Sequence, residues 1–254
     1  KKVKSLWQDV LALTDLGGLY GLVNFYSTAK KHDVKPLVGI EIPFVEQLNN
    51  FVLKKSDTHP ATLTLLVKNK LWYHNLLKLI SAAYDNAQHD IPLLDSNLLK
   101  EYGEWLVPLL WGINSFTHKL LGTTDSLTLF ENFFDLCVES CGEENCYIDI
   151  TAQLYTDYSQ LKKYNDKLLS FLDKRKVSAV VTSGSCYPHA SDKQAYELAL
   201  AIKDGKKDFV GCNCTVSLMS LAIAGLLQQD LVEWVNSSTY QAISGSGAAA
   251  MQEL

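Results

Sequence analysis

Residues 10–21 read V-L-A-L-T-D-L-G-G-L-Y-G: an apolar run that meets an aspartate and then a pair of glycines. Such a pattern is how a buried parallel strand ends and turns sharply into the next helix, because glycine tolerates backbone angles other residues avoid. The strand is expected over Val10 to Thr14, the turn at Asp15, and a helix over Leu19 to His32, whose apolar positions recur near every 3.6 residues and end in Lys30-Lys31. The same alternation continues along the chain. Strands are expected at Leu37 to Val45, Thr62 to Val67, Trp105 to Gly112, Cys146 to Ile150 and Val177 to Thr182. Helices are expected at Leu71 to Tyr84, Asn97 to Tyr102, Ser126 to Cys141 and Tyr158 to Lys174, with the polar stretch Gln47 to Pro60 as a loop. Repeated strand-then-helix units with apolar strands imply an α/β fold with a parallel, barrel-like sheet.

With 254 residues, 47% of them hydrophobic, the chain is long enough for one large domain or a domain with a smaller piece. The net charge of −5 gives no basic field of the kind that grips nucleic-acid backbone. Neither a membrane-spanning apolar run nor a signal-peptide core is legible, so the expected setting is cytoplasmic. The cysteines at 137, 141, 146, 186, 212 and 214 are expected as reduced thiols, because a chain with this much apolar content needs no disulfide staples. Cys137, Cys141 and Cys146 cluster without the paired spacing of a structural zinc site.

The decamer A-L-T-D-L-G-G-L-Y-G resembles the A-L-T-D-H-G-x-x-Y-G motif of the polymerase and histidinol phosphatase (PHP) domain family, as found near the start of bacterial DNA polymerase III alpha subunits. The segment Pro36 to Glu41 is similar to that family's P-x-x-G-x-E, and Thr62 to Val67 with the helix after it to its H-L-T-L-L-A unit. Val180 to Lys207 resembles its V-A-T-N-D-V-H-Y segment and the following helix, so the resemblance covers roughly residues 1–207. It implies a distorted (β/α) barrel of parallel strands, here lacking the first strand, which in the family carries an H-x-H ligand pair.

An active site of that family gathers histidines, carboxylates and sometimes a cysteine at strand ends to hold metal ions that activate water for phosphate hydrolysis. Carried over residue by residue, Asp15 and Glu41 match metal ligands, whereas Leu16, Thr62, Gly112, Gln153, Gly184 and Cys186 stand where the family has His, Cys or Asp. Asp15, Glu41, Thr62, Gly112 and Gly184 should converge at the strands' carboxyl ends. Two carboxylates do not make a multinuclear site, so the expected cofactor is none, or at most a weakly held Mg²⁺, with Asp15 and Glu41 hydrogen-bonded to turn amides. Cys186 near His189 suggests a thiol and a base, but the polar H-A-S-D-K that follows favours an ordinary loop.

Beyond Lys207 the chain resembles aspartate-semialdehyde dehydrogenase instead, through G-N-C-T-V-S-L-M and T-Y-Q-A-x-S-G-x-G over residues 209–254, with the junction near Asp208. By that resemblance Cys214 is the nucleophile and Gln241 orients the intermediate. The Gly-rich cofactor turn, the substrate Arg and the acid-base His of that family are absent from these residues, and Cys212 stands where a Gly is usual, so an inactive remnant is expected. The preferred functional expectation is a catalytically inactive PHP-like platform that binds the proofreading exonuclease subunit and other replicative polymerase subunits. The rivals are a metal-dependent phosphoesterase or 3′-5′ exonuclease, and an NADP-dependent dehydrogenase remnant acting through Cys214.

Overall fold

The structure, a computed structural model, describes residues 2–53, 60–110, 112, 115–124, 126–151, 159–182, 187 and 189–203. It forms two compact units, residues 1–188 and 189–254. The expected junction near Asp208 and the whole dehydrogenase-like stretch, Cys214 and Gln241 included, lie outside the described residues.

The first unit opens with the short helix α1 (Lys2–Ser5) and strand β1 (Val10–Leu16), followed by α2 (Leu22–Lys31) and β2 (Lys35–Val45). After β2 come β3 (Thr62–Val67), α3 (Lys70–Asp85), the two-residue β4 (Leu94–Asp95), α4 (Ser96–Tyr102) and β5 (Val107–Leu110). The unit ends with α5 (Phe116–Leu121), α6 (Ser126–Cys141), β6 (Tyr147–Thr151), α7 (Ser159–Arg175) and β7 (Ala179–Thr182). The second unit's described part is one 3-10 turn at Ala190–Asp192 leading into α8 (Lys193–Lys203).

The strands form a mixed sheet in the order β1-β2-β3-β5-β6-β7, with β4 beside the end of β2, curled into half a barrel. The all-parallel expectation is corrected at β3, which runs antiparallel to both β2 and β5. The physical reason is the connection: parallel neighbours need a long crossover, usually helical, and residues 46–61 contain no α-helix among those described. β1 also departs from expectation. It continues through Asp15 to Leu16, and it is a half-exposed edge strand rather than a buried one, with Val10, Leu11 and Leu16 open to solvent among the described residues. The turn follows at Gly17, whose φ of +72° is the left-handed geometry that favours glycine.

Register divides the strand residues between two faces. Ile40, Ile42, Leu63, Leu65, Leu110 and Ile148 point to the face packed by α3, α6 and α7 and are fully or almost fully buried. Leu76 and Leu79 of α3, Phe130, Phe133 and Phe134 of α6, and Phe171 of α7 close on them. Cys137, Cys141 and Cys146 are unpaired thiols in this same core, and burial pushes all three upward in pKa. Gly39 is needed where β2 passes β3, since a Cβ there would sit 2.7 Å from the Leu65 carbonyl oxygen. Among the described residues no helix is long and apolar enough to cross a membrane.

Candidate functional site

The face of the sheet turned away from the helices carries the polar strand residues. Leu16 of β1 pairs with Glu41 of β2, Glu41 with Thr64 of β3, and Thr64 with Leu109 of β5. Leu109 pairs with Tyr147 of β6, and two residues further along β6 stands Asp149, opposite Val180 of β7. Thr14, Glu41, Thr62, Thr64, Asp149 and Thr182 therefore share this inner face.

Glu41 is half-buried and receives a long 3.4 Å hydrogen bond from the Thr14 hydroxyl. Burial raises its pKa, and the Thr14 contact offsets this only in part. Asp149 is more enclosed, with 1% of its surface exposed. Its Oδ2 accepts from the Thr182 hydroxyl at 2.8 Å, while its buried Oδ1 has no hydrogen-bond partner among the described residues. Desolvation pushes the Asp149 carboxyl up to about 6, against the lowering by the Thr182 contacts. Glu41 and Asp149 are separated by three inter-strand steps, about 14 Å across the strands, and by two further residues, about 7 Å, along β6.

Asp15 does not join them. It pairs with Ile40 and so faces the helices, where its Oδ2 accepts the Gly21 backbone N–H at 2.6 Å beside the start of α2. A carboxylate there satisfies a free amide and complements the positive end of the helix. Asp15→Ala is accordingly expected to lower stability by about 1 kcal/mol, read as a shift in the urea midpoint. No measurable shift would mean that the Gly21 contact is idle.

The other expected positions share one end of the sheet by different routes. Thr62 reaches it through the beginning of the reversed strand β3, opposite Pro43 and bridged to Ser115. Gly112 sits just past β5 with φ +112° and its carbonyl accepts the Ser115 N–H. Leu16 is on the inner face and 46% exposed. Gln153, Gly184 and Cys186 lie outside the described residues, so the pairing of Cys186 with His189 does too. His189 itself caps the turn before α8: its side chain takes the Asp192 N–H, and the Asp192 carboxylate accepts the His189 N–H. None of the described strands carries a histidine. Among the described residues no three His, Cys, Asp or Glu side chains are gathered as a metal ion would require. Among the described residues the inner face thus offers two separated carboxylates and several hydroxyls.

Asp149 was not among the expected site residues. Its signal lay in Y-I-D-I-T, where the alternation puts Ile148 and Ile150 on one face and Tyr147 and Asp149 on the other.

A family model, the PHP domain, matches residues 1–153. The chain is 28% identical over 200 residues to the DNA polymerase III subunit alpha of Pasteurella multocida, the alignment covering 76% of this chain and 16% of that protein. It is 31% identical over 196 residues to the subunit of the same name from Thermus aquaticus, covering 76% and 16%. Against that of Vibrio cholerae it is 30% identical over 210 residues, covering 81% and 17%. The chain therefore spans about a sixth of the length of these relatives.

Proposed function

The chain belongs to the PHP domain family, and from that premise we propose that it serves DNA replication as a catalytically inactive platform, holding a partner protein rather than turning over a phosphate ester. The observation that carries this reading is the face assignment: of the two carboxylates that match family ligands, Glu41 looks into the half-barrel and Asp15 looks out. Metal-assisted hydrolysis needs several ligands on one centre to offset phosphate charge and activate water. The partner in this reading is the proofreading exonuclease subunit, reached in the cytoplasm with the other subunits of a replicative polymerase. Residues 209–254, which carry the motifs read above as dehydrogenase-like, are in this reading a passive tail in which Cys214 and Gln241 do no chemistry.

Two measurements test it. The full chain should co-elute with the purified proofreading exonuclease subunit from the same source in size-exclusion chromatography. It should also release no more nitrophenol from bis(p-nitrophenyl) phosphate, and no more 3′ nucleotide from single-stranded DNA, with Mg²⁺, Mn²⁺ or Zn²⁺ than the metal alone. Metal-dependent hydrolysis abolished by Glu41→Gln would overturn the inactive reading, and failure to co-elute would overturn the partner.

A further inference from the structure

Strand β1 is one edge of the sheet, and the hydrogen bonds at its two ends fix which of its backbone groups are free. The Gly17 N–H donates to the Glu41 carbonyl and the Lys35 N–H to the Asp9 carbonyl, so the odd-numbered residues from Asp9 to Gly17 turn their N–H and C=O groups toward β2. Val10, Ala12, Thr14 and Leu16 therefore turn theirs outward, where no strand meets them among the described residues. Natural proteins blunt such an edge with lysine, proline, a bulge or brevity. The opposite edge, β7, is four residues long. β1 has seven, V-L-A-L-T-D-L, without lysine, proline or glycine, and it pairs with β2 one to one without a bulge.

This edge also complements itself. A second copy laid antiparallel, with the two-fold axis at Leu13, sets Val10 opposite Leu16 of the second copy and Ala12 opposite Thr14 of the second copy. Every outward N–H and C=O of either strand then has a partner, and each contact occurs twice by symmetry. Val10 and Leu16 are 45% and 46% exposed, share the inner face and cover each other in this register. Moving the axis by one residue in either direction shortens the ladder and leaves Val10 or Leu16 uncovered. On the other face Leu13 meets its own counterpart, and Leu11 meets Asp15 of the second copy, whose carboxylate is already held by the Gly21 N–H. Beyond the ladder the same rotation carries Leu6 and Trp7, 54% and 96% exposed, toward the turn of the second copy, where Tyr20 is 76% exposed. The charges at that end, Lys4 and Asp9, pair with each other and oppose nothing.

We propose that β1 is a dimerisation edge, and that its occupant is a second copy of this chain added antiparallel, so that two half-barrels share one continuous sheet. The proposal does not rest on the replication reading. A single strand seam with a few flanking side chains is at the small end of specific interfaces, so a Kd of about 10 µM is expected.

Sedimentation equilibrium of the full chain between about 1 and 200 µM should follow a monomer–dimer equilibrium. Over the same range, hydrogen exchange read at single amides by NMR should slow roughly fivefold at Val10, Ala12, Thr14 and Leu16. The amides of Leu11, Leu13 and Asp15 face β2 and should not respond. V10K/L16K sets like charges against each other across the seam and should weaken the dimer at least about tenfold. V10K/L16E sets opposite charges together in the same places and should associate at least about tenfold more tightly than V10K/L16K. Both positions are exposed, so neither double variant should change the far-ultraviolet circular dichroism. A monomer at every concentration, unchanged exchange at those four amides on association, or equal affinity of the two double variants would overturn the proposal.

Discussion

Truncating Phe44 to alanine is expected to cost about 3–5 kcal/mol of folding stability. Phe44 is 2% exposed, pairs in the sheet with Leu94 of β4, and holds Phe116 of α5 edge to face and Phe133 of α6 in a tilted contact against itself. Removing the ring therefore empties a point where β2, β4, α5 and α6 meet. Close packing allows little collapse into such a void, so the lost transfer energy and the cavity add. For a domain of this size the melting temperature should fall by roughly 6–20 °C, and the urea midpoint should fall with little change in slope. Phe44→Leu, which keeps most of the volume, should lose about 1–1.5 kcal/mol. Equal effects from the two variants would show that the aromatic trio is not the anchor described.

Asp149→Asn is expected to act in the opposite direction at neutral pH. The folded state holds this carboxyl at about 6, above the ordinary 3.8, because burial disfavours its charge. A carboxyl raised in the fold binds more protons there than in the unfolded chain between those two values, so its contribution to stability falls as pH rises through that window. Above about 6 the loss is complete. Allowing for partial screening by water, it amounts to about 1–2 kcal/mol. Asparagine removes the charge and keeps an oxygen for the Thr182 hydroxyl, now 2.8 Å from Oδ2. Urea unfolding at pH 7.5 should find the variant more stable by that amount, with the difference shrinking as pH approaches 4. Glu41, raised for the same reason, adds a slope of the same sign that both proteins share. A variant less stable than the parent at pH 7.5 would mean that the carboxylate has a favourable ionic partner in the fold.

Much of the scaffold was legible because its helices bury one stripe. α6 runs Ser126–Cys141 as its pattern implies, and α3 and α7 differ from their expected limits by about a residue. β3 was legible as a strand but not as a reversed one. T-L-T-L-L-V reports burial on two faces and carries no direction, and the informative observation was the lack of helical period in Gln47 to Pro60. The short helix α5 was not anticipated, since six residues offer less than two turns of periodicity. At the site, motif matching located Asp15 and Glu41 on neighbouring strands near the same end of the sheet. It did not show that they look opposite ways, because facing depends on the register between strands: Asp15 is level with Ile40, and Glu41 with Leu16. Asp149 was hidden for a related reason, as a carboxylate inside a strand is conspicuous only once the inner face is defined.

The reversal of β3 also fixes which ladders are easiest to close as the chain folds. Pro43 and Thr62 pair across 19 positions, the shortest span between any two strands on the sheet's main path, whereas Thr64 and Leu109 pair across 45. The parallel β1–β2 ladder spans a constant 25, since Val10 meets Lys35 and Leu16 meets Glu41. Because the entropy of loop closure grows with span, each doubling adding about 0.6 kcal/mol, the first three strands assemble at the lowest cost and offer β5 a prepared edge. A strand turned back on its predecessor thus makes the early half of the sheet a local structure, and leaves the longer closures to the later ladders, the longest on the sheet's main path being the β3–β5 seam.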